Sequence, residues 1–167
     1  MKPAVMIDIE TFDTTPTAVI LSIGAVAMDM ESLSVIHDQV FYQEIDKNQP
    51  NRTTSLSTMD WWLERGNCPC KGTAHLPQAL KDLANWLPEG AEIWCKGTDF
   101  DTQILSNAYV RHSLFVPWKY NSVRDCRTIF KTFPLPWDHE TTHNALEDAK
   151  DQAARLMTTL RGLNHGK

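Results

Sequence analysis

Nowhere in its 167 residues does the chain have the roughly 20 consecutive apolar residues that cross a bilayer, so no membrane span is expected. The opening Met1-Lys2-Pro3 is followed by four apolar residues, Ala4 to Ile7, before charge intervenes at Asp8, which is too short a run for a signal peptide. A soluble cytoplasmic protein is the expectation. Cysteine is also sparse. Cys68, Cys70, Cys95 and Cys126 are not spaced as a secreted disulfide framework, and a chain this long does not need one. Cys68-Pro69-Cys70, with His75 nearby, lacks the second cysteine pair usual in zinc sites, so all four cysteines are read as free thiols. Internal repeats, low-complexity tracts and a convincing linker are missing too, and the length suits one domain, residues 1–167.

An excess of positive charge is the last thing missing. Sixteen Lys and Arg stand against 21 Asp and Glu, a net charge of −5. Taken as a whole, that balance argues against a polyanionic partner. The distribution argues otherwise. Between Arg111 and Lys131 lie Lys119, Arg124 and Arg127, with Asp125 the one acid, a local basic region able to hold a phosphate backbone.

What is present is a strand-first pattern. Ala4–Ile9, Val19–Met28 and Val35–Tyr42 read as strands with no room for a crossover helix between them, hence an antiparallel meander. Helical spacing follows at Ser57–Arg65, stopped by Gly66, and at Leu76–Leu87, stopped by Pro88. Glu92–Lys96 reads as a short strand, Asp99–Val110 as a helix, Trp118–Tyr120 as a further strand and Ser122–Phe130 as a helix. Phe133-Pro134-Leu135-Pro136-Trp137 marks a loop, and a final helix from Ala145 to Leu160 carries Leu146, Ala149, Ala153, Leu156 and Leu160 on one stripe. The class is α/β: a mixed sheet of three antiparallel strands followed by alternating strands and helices.

Five polar residues stand out against this frame. Asp8 and Glu10 are two apart on a strand, so both face one side while Ile9 faces the core. Paired carboxylates after an apolar run call for a counter-charge, and oxygen ligands of this kind suit Mg²⁺ or Mn²⁺. Asp-x-Glu alone is equally what an ordinary polar strand end looks like. Asp101 sits between a strand and a helix, where the helix dipole favours any acid. It is preferred over Asp99, which is placed nearer the N-cap, with Phe100 packing inward between them. His143 and Asp148 would be about 140° apart on one helix. They can address a single site only if Asn144 caps the helix and His143 lies outside it, a pattern that Glu147 supports as a capping box. The loop from Pro134 to Thr142 would let the histidine swing in. Four carboxylates and a histidine together are the groups of a two-cation displacement at phosphorus.

In this order and at these intervals, Asp8-Ile9-Glu10-Thr11, Phe100-Asp101 and His143-x-x-x-x-Asp148 resemble the three motifs of the DEDDh 3′→5′ exonucleases. That group includes ribonuclease T, oligoribonuclease and polymerase proofreading subunits. Met6 to Asp13 and Trp61-Trp62 are most similar to small phage-type and bacterial members, of the exodeoxyribonuclease VIII or exoribonuclease kind. The resemblance implies a ribonuclease H-like fold, two Mg²⁺ or Mn²⁺ ions on Asp8, Glu10, Asp101 and Asp148, and His143 as general base. It also implies release of nucleoside 5′-monophosphates from single-stranded DNA or RNA 3′ ends, and leans weakly toward a homodimer. The sister subgroup's tyrosine position is Asn144 here, which favours the histidine subgroup. Thr11 and Phe12 are candidate substrate contacts, although Phe12 and Asp13 depart from the family's usual small residue and glycine. Phe12 is placed either against the last base or in the core. Trp61, Trp62, Trp118 and Trp137 are further stacking candidates.

Overall fold

The structure is a computed structural model describing residues 1–138 and 141–165. Residues 139 and 140, in the loop expected to carry the histidine inward, lie outside the described residues, as do 166 and 167 at the end of the expected domain. Five strands form one sheet in the order β3-β2-β1-β4-β5. Strands β1 (Pro3–Thr11), β2 (Ile20–Asp29) and β3 (Ser34–Glu44) are the antiparallel meander, while β4 (Glu92–Cys95) and β5 (Val123–Asp125) join parallel to β1. Helices α1 (Leu56–Arg65), α2 (Leu76–Trp86) and α3 (Asp101–Arg111) connect β3 to β4 and β4 onward; α4 (Cys126–Thr132) and α5 (Ala145–His165) close the chain.

Strand alternation sorts β1 into two layers. Val5, Ile7 and Ile9 face α2 and α3 in a cluster with Leu80, Leu83, Ile93 and Leu105. Ala4 and Met6 face the opposite way, packing with Val26, Met28, Ala149, Ala153 and Leu156 under α4 and α5. Asp8 and Glu10 continue this second line. The acids therefore fall where the α5-side layer runs out of apolar residues, at the carboxyl end of the parallel strands. Open α/β sheets bind ligands there.

Two expected elements are displaced. Trp118–Tyr120 is not a strand; Tyr120–Ser122 is a 3₁₀ turn and the strand is Val123–Asp125. The helix expected from Ser122 starts at Cys126 instead, where the Asp125 side chain accepts the Arg127 N–H as its cap. Trp118 packs edge-on against buried Tyr109, so its apolar character reflects a core contact rather than a strand. The α5 stripe is also rotated: Leu146 and Leu160 are half-buried, while Ala145, Asp148, Gln152 and Met157 are buried.

Candidate active site

β1, α3 and α5 each deliver part of one cleft of about 170 Å³, lined by Asp8, Glu10, Asp101, His143 and Asp148 together with Lys96, Arg127 and Gln152. Asp8 and Glu10 come from the last turns of pleat in β1, opposite Gly24 and Ser22 of β2. Asp101 is the first residue of α3. Its Oδ1 accepts the backbone N–H of Ile9 at 3.1 Å, which ties the helix start to the strand between the two β1 acids. Phe100, not Asp99, holds the N-cap position, and it packs half-buried against the core while lining the cleft.

α5 supplies the rest. Asn144 Oδ1 accepts from Leu146 N and Glu147 N, each at 3.1 Å, which is the expected cap. The reciprocal half of the capping box is made differently. Asn144 N donates to Thr142 Oγ1, and Glu147 pairs with Lys150. His143 stands before the helix with φ +56°. The Asp148 carboxylate accepts Thr142 N at 2.7 Å, Thr142 Oγ1 at 2.9 Å and His143 N at 2.9 Å, so the loop bearing the histidine is laced to the acid one turn into α5. Glu10, His143 and Asp148 each place a ligand atom within 4.8 Å of the others.

Gln152, Gly24 and Asn67, which the sequence did not single out, fix this arrangement together with Trp61 and Trp62. Gln152, one helical turn after Asp148, donates from Nε2 to Asp8 Oδ1 at 2.9 Å. Gly24 allows the close approach of α5, because a Cβ there would lie 2.2 Å from Ala145 C and Leu146 N. Trp62 Nε1 donates to Thr11 O at 2.9 Å, and the Trp61 ring meets the His143 ring edge-on at 4.7 Å between centroids. Asn67 Nδ2 donates to Thr142 O from the far side of the histidine loop. The departure at Asp13 is structural: its carboxylate accepts from Thr14 N and Thr15 Oγ1, and a bond from Thr53, the largest cause, holds it below the usual carboxylate range.

A second cleft of about 330 Å³ adjoins the first, sharing Ile9, Glu10 and Phe100 and adding Thr11, Ser57, Thr58, Trp61 and Trp62. Thr11 lies in it. Phe12 does not; it is 7% exposed and packs with Val19, Leu21 and Trp62 in a small core under α1. The expected basic region is likewise split. Arg124 pairs with Glu92 at 3.5 Å, and only Arg127 of the five reaches the carboxylate cleft, where Lys96 joins it.

Electrostatics strain the site as it stands. Burial pushes Asp8 well above the usual range, with the charges of Asp101 and Glu10 adding to it. Burial and then Asp148 push Glu10 up to about 8. Burial carries Asp101 to about 7 despite the Ile9 N–H and the charge of Arg127. His143 is lowered by burial and then by Arg65. Gln152 Oε1 is buried with no partner among the described residues, beside Asp8. A hydrated divalent cation suits such a place: it neutralises the acids and its waters offer donors to the orphaned oxygen.

The fold is similar to those of several solved nucleases. It is similar to the nuclease domain of 3'hExo, a DEDDh family member solved bound to rAMP, at 16% identity and TM-score 0.67, covering 96% of this chain and 92% of that one. It is similar to E. coli exonuclease I in complex with a dT13 oligonucleotide, at 14% identity and TM-score 0.73, covering 99% and 43%. Cell-death related nuclease 4 matches at 14% identity and TM-score 0.63, covering 96% and 64%, so the chain spans less than two thirds of either of these last two. No curated protein matches it. A family model for the 3'-5' exoribonuclease Rv2179c-like domain matches residues 3–160, and the chain belongs to that family.

Proposed function

We propose that this chain removes nucleoside 5′-monophosphates one at a time from the 3′ end of single-stranded RNA, as one exonuclease domain acting in the cytoplasm. The observation that carries the reading is the convergence of Asp8, Glu10, Asp101, Asp148 and His143 in one cleft beside a larger, partly apolar one. In this reading Asp8, Glu10, Asp101 and Asp148 would hold two Mg²⁺ or Mn²⁺ ions, whose chemistry would be to lower the pKa of a water and to offset charge on the phosphate. The terminal nucleoside occupies the larger cleft, with its base against Trp61 and Phe100 and its sugar near Thr11. His143 accepts the proton of the attacking water as its oxygen bonds to phosphorus. The bond from phosphorus to the penultimate 3′ oxygen breaks, and that oxygen is protonated from solvent. Trp61 and the Asp148-held loop keep the imidazole facing the site.

RNA is preferred because the matched family is described as exoribonucleases. DNA is the second reading, favoured by the exonuclease I fold solved on dT13. A homodimer is carried with the proposal and is checked by light scattering of the full chain. The functional test is 5′-labelled RNA and DNA of one sequence incubated with Mg²⁺, Mn²⁺ or chelator. The expected result is a ladder shortening from the 3′ end on RNA, absent with chelator and reduced by roughly 10²–10⁴-fold in His143→Ala. No cleavage with any metal would sink the reading and leave a binding module.

A further inference from the structure

Lys96 and Arg127 line the acid cleft and not the larger one, and the fold is shaped to keep Arg127 there. Arg127 Nη2 donates to the carbonyl of Lys96 at 2.7 Å, which pins the guanidinium across the end of β4. The residue beneath it is Gly97, at φ +128°, a conformation side chains rarely adopt. A Cβ at that position would also come within 3.1 Å of Arg127 Nη2. Lys96 and Arg127 line the acid cleft, yet neither forms an ion pair with an acid among the described residues. Arg127 is fixed by a carbonyl and leaves charge unspent, as an anion receptor requires.

The topology says which anion. The larger cleft and the acid cleft meet at Ile9, Glu10 and Phe100. With the terminal nucleoside in the former and the scissile phosphate over the acids, the rest of the strand would leave over the part of the acid cleft that the larger one does not share, which Lys96 and Arg127 line. We infer that Lys96 and Arg127 clamp the phosphate one linkage 5′ of the scissile one, drawing affinity from the backbone without reading a base. The inference rests on the proposed function for its direction. It replaces the broad basic region expected from the sequence with the pinned Arg127 and its neighbour Lys96.

The test uses a labelled single-stranded RNA and the same RNA with a neutral methylphosphonate at the second linkage from the 3′ end. Wild type should show a KM higher by roughly 10-fold on the modified RNA, with kcat falling less. Arg127→Met and Lys96→Met should each raise KM on ordinary RNA, and in the double variant the methylphosphonate should cost almost nothing more. Lys96→Met keeps the carbonyl that holds Arg127, so it remains informative if Arg127→Met fails to fold. An undiminished methylphosphonate penalty in the variants overturns the clamp. So does a loss confined to kcat, which would instead mean that Arg127 acts only by offsetting Asp101. Fluorescence anisotropy with both RNAs reads the clamp without turnover. A protein that binds with this preference but never cuts would sink the proposed function and leave the clamp standing.

Discussion

The two faces of the sheet are packed by different rules. On the α2 and α3 side the core is branched and bulky, with Ile7, Ile23, Leu80, Leu83, Leu105 and Tyr109 all fully buried. On the α5 side the first turn of the helix sits with its Ala145 and Leu146 backbone directly on Gly24, and Ala149 and Ala153 follow before the layer thickens at Leu156 and Met157. The bulky layer maximises apolar burial, worth about 1.5–3 kcal/mol for each large side chain. The thin layer gives up that burial for proximity. It lowers the start of α5 onto β2, so that Asp148 and Gln152 reach the acids of β1. Stability and site geometry are thus separated by face, and mutations should separate them too.

The largest effect should come from the acids themselves. Asp8→Asn removes a charge that burial and three neighbouring carboxylates already disfavour. Without metal the variant should melt several degrees higher than wild type, because the site's repulsion is relieved. Its kcat/KM should fall by roughly 10³-fold or more, because Asp8 would be one of the four carboxylates that hold the cations. A variant that is both stable and active would break the link between the strained acids and function.

Next in size is a paired test of the two layers. Gly24→Val must lift α5 to clear the Ala145 backbone. It should cost about 1–3 kcal/mol of stability and roughly 10²-fold in kcat/KM, since misplacement by about 1 Å is enough for that loss. Leu80→Ala, in the other layer, should cost more stability, about 2–5 kcal/mol, while the folded fraction keeps its kcat/KM. If both variants lose activity in proportion to stability, the division of labour between the layers is wrong.

This contrast also explains what the sequence made readable. The bulky layer announces itself through periodicity, and β1, β2, β3, α2 and α3 fall near their expected positions. The acids were legible because Asp8 and Glu10 interrupt an apolar strand at period two, and the Asn144 cap because its signal is local. The thin layer was legible in part: Ala149, Ala153 and Leu156 were read onto the buried stripe, but the seating of Ala145 on Gly24 was not. Alanine and glycine carry little hydrophobic signal, and the Gln152–Asp8 bond joins residues 144 apart. β5 was missed for a related reason: three residues held by pairing to β4 have no pattern of their own, whereas Trp118 has an apolar ring that packs on Tyr109 instead. Phe12 could be placed in core or cleft from sequence, and only packing under α1 distinguishes them.

The smallest effect is one of stability, and pH sets its sign. Glu10 rises from 4.5 to about 8 in the fold and Asp101 from 3.8 to about 7, so the folded metal-free protein binds more protons than the unfolded chain across that window. Stability must then fall as pH climbs from about 4 to about 8, the reverse of the usual salt-bridged carboxylate. A divalent cation cancels the penalty where the acids are ionised, but must displace protons where they are not. Mg²⁺ at about 100 times its Kd should therefore raise Tm by about 5–10 °C at pH 8 and by much less at pH 5, read by thermal melts with and without chelator. In Asp8→Asn the metal-free pH slope should flatten and the Mg²⁺ shift at pH 8 should shrink. An equal Mg²⁺ shift at both pH values would mean that the ion binds at exposed acids elsewhere, and that the crowding of acids at the edge of the thin layer is not what the metal relieves.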